Sequence, residues 1–209
     1  MNRPYGDIFD RFRGELLEDE PLARHSSLKV GGPADLFAIP TDLDDLKELV
    51  SRCCENDVNW IVIGGGYNLL VRDGGFKGVV VSLKRLKMIE SLPDNRIRVQ
   101  AGISNQRLVR FLEAGGLSGL EFLSGIPGSI GGALAMNAGC HGYEIVERLE
   151  SLTTIDKNGV TEIAAKDLEY GYRFLNIGEK TAIVEACFHL AADDPAAITV
   201  RVQEFLQKR

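Results

Sequence analysis

The glycines of this chain are bunched. Of 23 in all, most of the informative ones fall into Gly31-Gly32, Gly64-Gly65-Gly66, Gly74-Gly75, Gly115-Gly116 and a run from Gly125 to Gly139. Glycine in clusters marks backbone that must take positive φ or approach something closely, either another segment or a ligand phosphate. The triplet Gly64, Gly65 and Gly66 follows the apolar run Trp60-Ile61-Val62-Ile63 and continues into Tyr67, Asn68 and Leu69. A strand therefore feeds a loop whose successive N–H groups can form a phosphate nest, with Asn68 adding a side-chain donor. A plain strand-to-loop turn is the competing reading. The loop is no dinucleotide fingerprint, because Leu69 stands where the third glycine belongs, and no Gly-Lys-Ser/Thr follows to make a P-loop. A second loop comprises Gly125, Ile126, Pro127, Gly128, Ser129, Ile130, Gly131 and Gly132, ahead of Asn137, Ala138 and Gly139. Ser129 is its candidate phosphate ligand, and two such loops point to a pyrophosphate.

The rest of the composition narrows the class. There are 24 Lys and Arg against 30 Asp and Glu among 209 residues, a formal charge of −6, so no global attraction draws the chain to nucleic acid. Hydrophobic residues make up 44%, enough for a sizeable core. No apolar run reaches the ~18 residues of a membrane span, and the acidic first twenty residues lack a secretory h-region. The expectation is a cytoplasmic protein with no membrane and no obligate protein partner. Cys53, Cys54, Cys140 and Cys187 form no C-x-x-C pair, so reduced, mostly buried thiols without disulfide or structural metal are expected.

Hydrophobic periodicity supplies the elements. Tyr5, Ile8, Phe9, Phe12, Leu16 and Leu17 predict an amphipathic helix over 5–17, within an N-terminal helical segment of residues 1–24. Thr41 as N-cap and an acidic first turn predict a helix of about four turns through Cys53. Strands are predicted at 60–63, 78–83, 96–101, 149–155, 161–164 and 182–190, with a hairpin turn at Asp156-Lys157-Asn158-Gly159. Ser104 or Asn105 caps a helix ending at Gly115-Gly116, and Asp194-Pro195 opens a last helix.

Chemistry-bearing side chains are sparse. His25, His141 and His189 have no nucleophile or carboxylate at an informative spacing, so each reads as ordinary and a hydrolase triad is unsupported. Lys84, Arg85 and Lys87 read as a solvated strand end. Arg173, beside Tyr170 and Tyr172, would by itself be a surface or aromatic-stacked arginine.

Four ordered motifs change that reading. They are His25 to Asp35, Gly64 to Phe76, Gly119-Leu120-Glu121-Phe122-Leu123-Ser124-Gly125-Ile126-Pro127-Gly128 and Tyr170-Gly171-Tyr172-Arg173. Together they resemble the UDP-N-acetylenolpyruvoylglucosamine reductase family of peptidoglycan synthesis, over nearly the whole chain. The resemblance implies an α+β FAD-binding fold of the PCMH or vanillyl-alcohol-oxidase type. It would have two α+β subdomains, about 25–100 and 101–194, with residues 195–209 starting a helix toward a C-terminal substrate domain that is absent. FAD would lie between the subdomains, its pyrophosphate on Gly64 to Leu69 and Gly125 to Gly132, with Asn137, Ala138 and Gly139 near the flavin. No histidine is implied as a covalent flavin link.

The implied reaction uses NADPH and FAD to reduce UDP-N-acetylglucosamine enolpyruvate, with Arg173 as the catalytic cation and Tyr172 at the substrate. The family's protonating serine and assisting glutamate have no counterpart here, since no serine follows Ser151 and Glu179, Glu185 and Glu204 lack the surrounding motif. The chain therefore reads as a flavin-binding part that is inactive alone. Tyr67 stands where the family usually has a small hydroxyl residue, which alters one contact. The alternative is a stand-alone flavin or nucleotide-binding module without catalysis; a different flavoprotein oxidase of the same fold would need its own substrate domain.

Overall fold

The computed structural model describes residues 5–208. In chain order the elements are β1 (Glu15–Pro21), β2 (Pro33–Ile39), α1 (Leu43–Glu55), β3 (Trp60–Ile63), β4 (Phe76–Ser82), β5 (Ile89–Leu92), β6 (Arg96–Gln100) and α2 (Asn105–Ala114). There follow β7 (Leu117–Ser118), α3 (Ile130–Ala135), β8 (Gly139–Cys140), β9 (Tyr143–Glu144), β10 (Leu149–Asp156) and β11 (Gly159–Ala164). The chain ends with β12 (Tyr170–Gly171), β13 (Phe174–Leu175), β14 (Ala182–His189), β15 (Ala191–Ala192) and α4 (Pro195–Gln207).

Two sheets carry the fold. The first has the order β1-β2-β4-β3, with β2 and β3 parallel to β4 and β1 antiparallel on the edge; the second, fully antiparallel, runs β11-β10-β14-β6-β5. Alternation along the strands of the first sheet gives it two apolar faces. Leu36, Ala38, Val79 and Val81 enter the large core, whereas Phe37, Ile39 and Val80 form a smaller one with Leu22. α1 fills the large core with Leu46, Leu49, Val50 and Cys53. The second sheet packs α3 on one side, and on another part of its surface Arg96, Arg98, Glu90, Glu150 and Glu185 pair in ion contacts of 2.8 to 3.2 Å.

Capping follows local chemistry. Asp42, one residue after the expected Thr41, is the N-cap of α1 and accepts from Asp45 N–H at 2.9 Å. Thr41 N–H instead donates to Asp45 Oδ2 at 2.9 Å. Ser104 caps α2 and Asp194 caps α4, with Pro195 in the first turn.

Two expectations need correction. No helix spans 5–17: Tyr5 to Phe12 form successive turns with bonds three residues apart, and β1 begins at Glu15. The apolar stripe is used differently. Tyr5, Ile8, Phe12 and Leu16 pack on the large core, but Leu17 faces the smaller one, as neighbours in a strand must. Pairing of Glu15 to Pro21 with β2 overrides the helical period, and Gly14 permits it, since a Cβ there would lie 2.3 Å from Ile39 O. Residues 1–4 of the expected helical segment lie outside the described residues. The second correction concerns the division near residue 100. β5 and β6 belong to the second sheet through β6 pairing with β14, which puts the change of sheet between Ser82 and Ile89. Of the thiols, only Cys53 is fully buried; Cys54, Cys140 and Cys187 are partly so. Among the described residues no helix is long and apolar enough to cross a membrane.

Candidate flavin-nucleotide site

The first glycine loop leaves the carboxyl end of β3 and is held from below. Ser27 N–H donates to Gly66 O at 3.0 Å, and Gly66, at φ +68°, lies so close to the His25 carbonyl that a Cβ would sit 2.0 Å from it. Only glycine meets both conditions. His25 is itself fixed, stacked on Phe37 at 3.9 Å between ring centroids and hydrogen-bonded to buried Glu20 at 2.9 Å. A histidine that reads as ordinary in sequence thus supports the loop. Among the described residues the N–H groups of Gly64, Gly65, Gly66, Tyr67 and Asn68 have no backbone or side-chain acceptor, which leaves a row of donors for a ligand.

The second loop faces the first. Asn105, fully buried at the start of α2, donates from Nδ2 to Ile126 O at 2.9 Å and from its N–H to Gly128 O at 3.0 Å. Ser129 Oγ accepts from Gly132 N–H at 3.4 Å and stands over Gly64, where a Cβ would come within 2.7 Å. A Cβ on Gly65 would lie 3.2 Å from Gly128 Cα and 2.9 Å from the Tyr67 ring. The two loops thus meet backbone to backbone.

A groove of about 660 Å³ runs along this contact. Its walls include Gly64 through Leu69, Gly125 through Ser129, Gly132, Ala138, Gly139 and Arg173, bringing most of the expected site residues together. A second cavity of about 260 Å³ adjoins the same glycines from the other side, bordered by Ser82, Lys84, Ser104 and Gln106. An extended ligand crossing the glycine contact can reach both.

Three expected residues stand elsewhere. Gly131 packs against Ala101 and borders a different cavity. Asn137 is wholly buried and bonds to protein, so it is not part of the groove lining. Tyr172 is 85% exposed, outside the groove wall, with the Arg173 guanidinium 5.4 Å from its ring centre. Other wall residues were not among the expected site residues: Val62, Phe122, Met136, Cys140, His141 and Phe205. Phe205 belongs to the apolar stripe of α4, and no spacing shows that it reaches the groove beside His141 and Tyr143.

Among the described residues Arg173 is the one strong charge on the groove wall. Its Nη2 donates to Gly139 O at 2.7 Å, and among the described residues it has no carboxylate partner. A cation left uncompensated beside donor-rich loops suits an anionic ligand.

Comparison with known proteins decides the relationship. Residues 34–164 match the family described as FAD binding domain. The chain is 54% identical over 197 residues to the UDP-N-acetylenolpyruvoylglucosamine reductase of Geotalea uraniireducens, covering 94% of this chain and 66% of the relative. To the same enzyme of Geobacter metallireducens it is 49% identical over 205 residues, covering 98% and 68%. The chain belongs to the UDP-N-acetylenolpyruvoylglucosamine reductase family. It spans about two thirds of the length of the curated relatives it matches.

Within solved structures, the family member from Thermus caldophilus superposes with a TM-score of 0.81 at 28% identity, covering 94% of this chain and 69% of that one. BBE-like 1 of Physcomitrella patens shares the fold alone, with a TM-score of 0.65 at 14% identity, covering 89% and 44%. The α+β FAD-binding fold expected from the motifs is the fold of this member of the UDP-N-acetylenolpyruvoylglucosamine reductase family.

Proposed function

We propose that this chain is the flavin-binding part of a reductase that uses FAD and NADPH to convert UDP-N-acetylglucosamine enolpyruvate to UDP-N-acetylmuramate, a cytoplasmic step of peptidoglycan synthesis. The observation that carries the reading is the meeting of two glycine loops at a groove walled by Arg173, where among the described residues the N–H groups from Gly64 to Asn68 have no acceptor and Arg173 has no carboxylate partner. These residues fit FAD: Gly65 and Gly128 bring the two loops together without side chains of their own, and the two cavities flank their contact.

The amides of Gly64 to Asn68 and the hydroxyl of Ser129 would hold the pyrophosphate. Gly125 to Ser129 and Gly132 would form the opposite bank of that cradle, and Ala138 and Gly139 would present backbone to the flavin end. When bound, FAD supplies the hydride path from NADPH to the enolpyruvyl carbon. Val62, Phe122 and Met136 exclude water from the groove, which strengthens every charge interaction inside it. Arg173 stabilises the negative charge that develops on the substrate carboxylate as hydride arrives, and Tyr172 flanks the substrate. The protonating serine and assisting glutamate are assigned to no residue of this chain, so by itself it binds flavin without turnover.

The purified chain tests the reading through its visible absorption, before and after FAD is added. A flavin band that follows the protein through gel filtration and is released by denaturation is expected. A folded chain that binds no FAD would overturn the proposal, whereas bound flavin in a chain with full turnover would overturn only the statement on inactivity.

A further inference from the structure

Arg173 occupies a costly backbone position. β12 and β13 pair Gly171 with Phe174, so Tyr172 and Arg173 are the two central residues of a tight turn, and Arg173 has φ +57°. That place usually goes to glycine or asparagine, and another residue stays there only when its surroundings over-determine it. Two hydrogen bonds cross between this turn and the segment at β8. Arg173 Nη2 reaches Gly139 O at 2.7 Å, and Asn137 Nδ2 reaches back to Gly171 O at 3.0 Å. Asn137 Nδ2 also donates to Glu144 Oε2 at 2.9 Å. Both partners can only accept, so the orientation of the amide is determined. The side chain is wholly buried, and its own backbone has φ +37°.

We infer that Asn137 is the positioning residue for Arg173, clamping the carbonyl at the entry of its turn, with Glu144 as the anchor of the clamp. The inference rests on the reading of Arg173 as the group that meets the developing anion. Without the clamp the turn relaxes toward a less strained φ, and the guanidinium leaves Gly139 O and swings into solvent. The fixed direction of the cation is what is lost, rather than the fold.

Arginine side-chain 1H–15N spectra of the labelled chain test this without FAD, so failure of the flavin reading, seen as absent FAD binding, is told apart from failure of this one. Arg173→Lys identifies the Arg173 signal. In the wild-type chain a resolved, slowly rotating Nη signal is expected, and an averaged signal would overturn the inference. Asn137→Asp keeps volume and tolerates positive φ, and Asn137→Gly removes the side chain where glycine is at ease. In both, the Arg173 signal should collapse into the averaged envelope while backbone amides distant from the two segments keep their shifts. Glu144→Gln retains an acceptor oxygen and should keep the resolved signal. A resolved signal in folded Asn137→Asp or Asn137→Gly would overturn the assignment, as would failure of both variants to fold, since that would mark Asn137 as a determinant of the fold itself.

Discussion

At the scale of single residues, charge and burial separate function from support. On the proposed reaction, Arg173→Ala, placed in a reductase of the relatives' full length, should leave flavin reduction by NADPH intact and lower enolpyruvyl reduction by orders of magnitude, because only the second half-reaction would develop the charge that the guanidinium meets. Stopped-flow measurement of the two half-reactions checks this, and equal loss of both would contradict it. Cys53 gives a stability prediction. Burial among the core residues, and then the neighbouring Cys54, push its thiol from 9.0 up to about 12. The folded state therefore holds the proton more tightly than the unfolded chain, so this contribution is complete below pH 9.0 and is lost as pH rises toward about 12. Cys53→Ala should flatten the fall in stability across that window in denaturant titrations. Neither role was visible by periodicity. The proposed role of Arg173 comes from the Tyr-Gly-Tyr-Arg motif, and the burial of Asn137 and its two accepting partners cannot be read from one letter.

At the scale of elements, local rules worked where a cap or a buried run decides the structure. The apolar run at β3, Ser104 before α2 and Asp194-Pro195 before α4 all behave as their chemistry requires. Asp42→Ala should cost α1 about 1 kcal/mol, read as a lower midpoint in urea. The tie between α4 and the body is stronger. Arg201 Nε donates to buried Glu121 at 3.0 Å and Nη2 to Asp193 at 2.6 Å. Burial alone would raise the Glu121 carboxyl, but donors from its own backbone, Gly119, Ser118 and Arg201 outweigh it and hold the group below the usual range. Its contribution is present above the ordinary glutamate range and lost as pH falls through the lowered value. Arg201→Ala leaves that carboxylate short of a donor and should cost about 2 kcal/mol, with faster amide exchange in α4 as the local sign. The failure at 5–17 has the opposite cause: a helical stripe lost to strand pairing with β2, a partner some twenty residues away that the stripe itself does not reveal.

At the scale of the whole molecule, the fold is a device for bringing two loops together. The first hangs from β3 in one sheet, and the second precedes α3 on the other. The loops were legible as glycine clusters, and the family resemblance implied that they share one pyrophosphate, but the contact of Gly65 with Gly128 was not legible, because the two are distant in sequence and only the two sheets set their separation. The same holds for the change of sheet after Ser82, which depends on β6 pairing with β14. On the proposed function, this contact would hold the pyrophosphate of FAD. The most direct test is the thermal midpoint with FAD, with riboflavin and with no addition, for the wild-type chain and for Gly65→Val. At a hundredfold excess over Kd, FAD should stabilise the wild-type chain by about 2.7 kcal/mol. Riboflavin, which lacks phosphate, should do far less at equal concentration. Crowding of Gly128 by the new side chain, worth about 1–3 kcal/mol, should weaken FAD by about five- to 150-fold in Gly65→Val and lower the shift at the same FAD concentration by about 1–2.4 kcal/mol. Equal stabilisation by FAD and riboflavin, or an undiminished FAD shift in Gly65→Val, would mean that the loop contact does not hold the pyrophosphate.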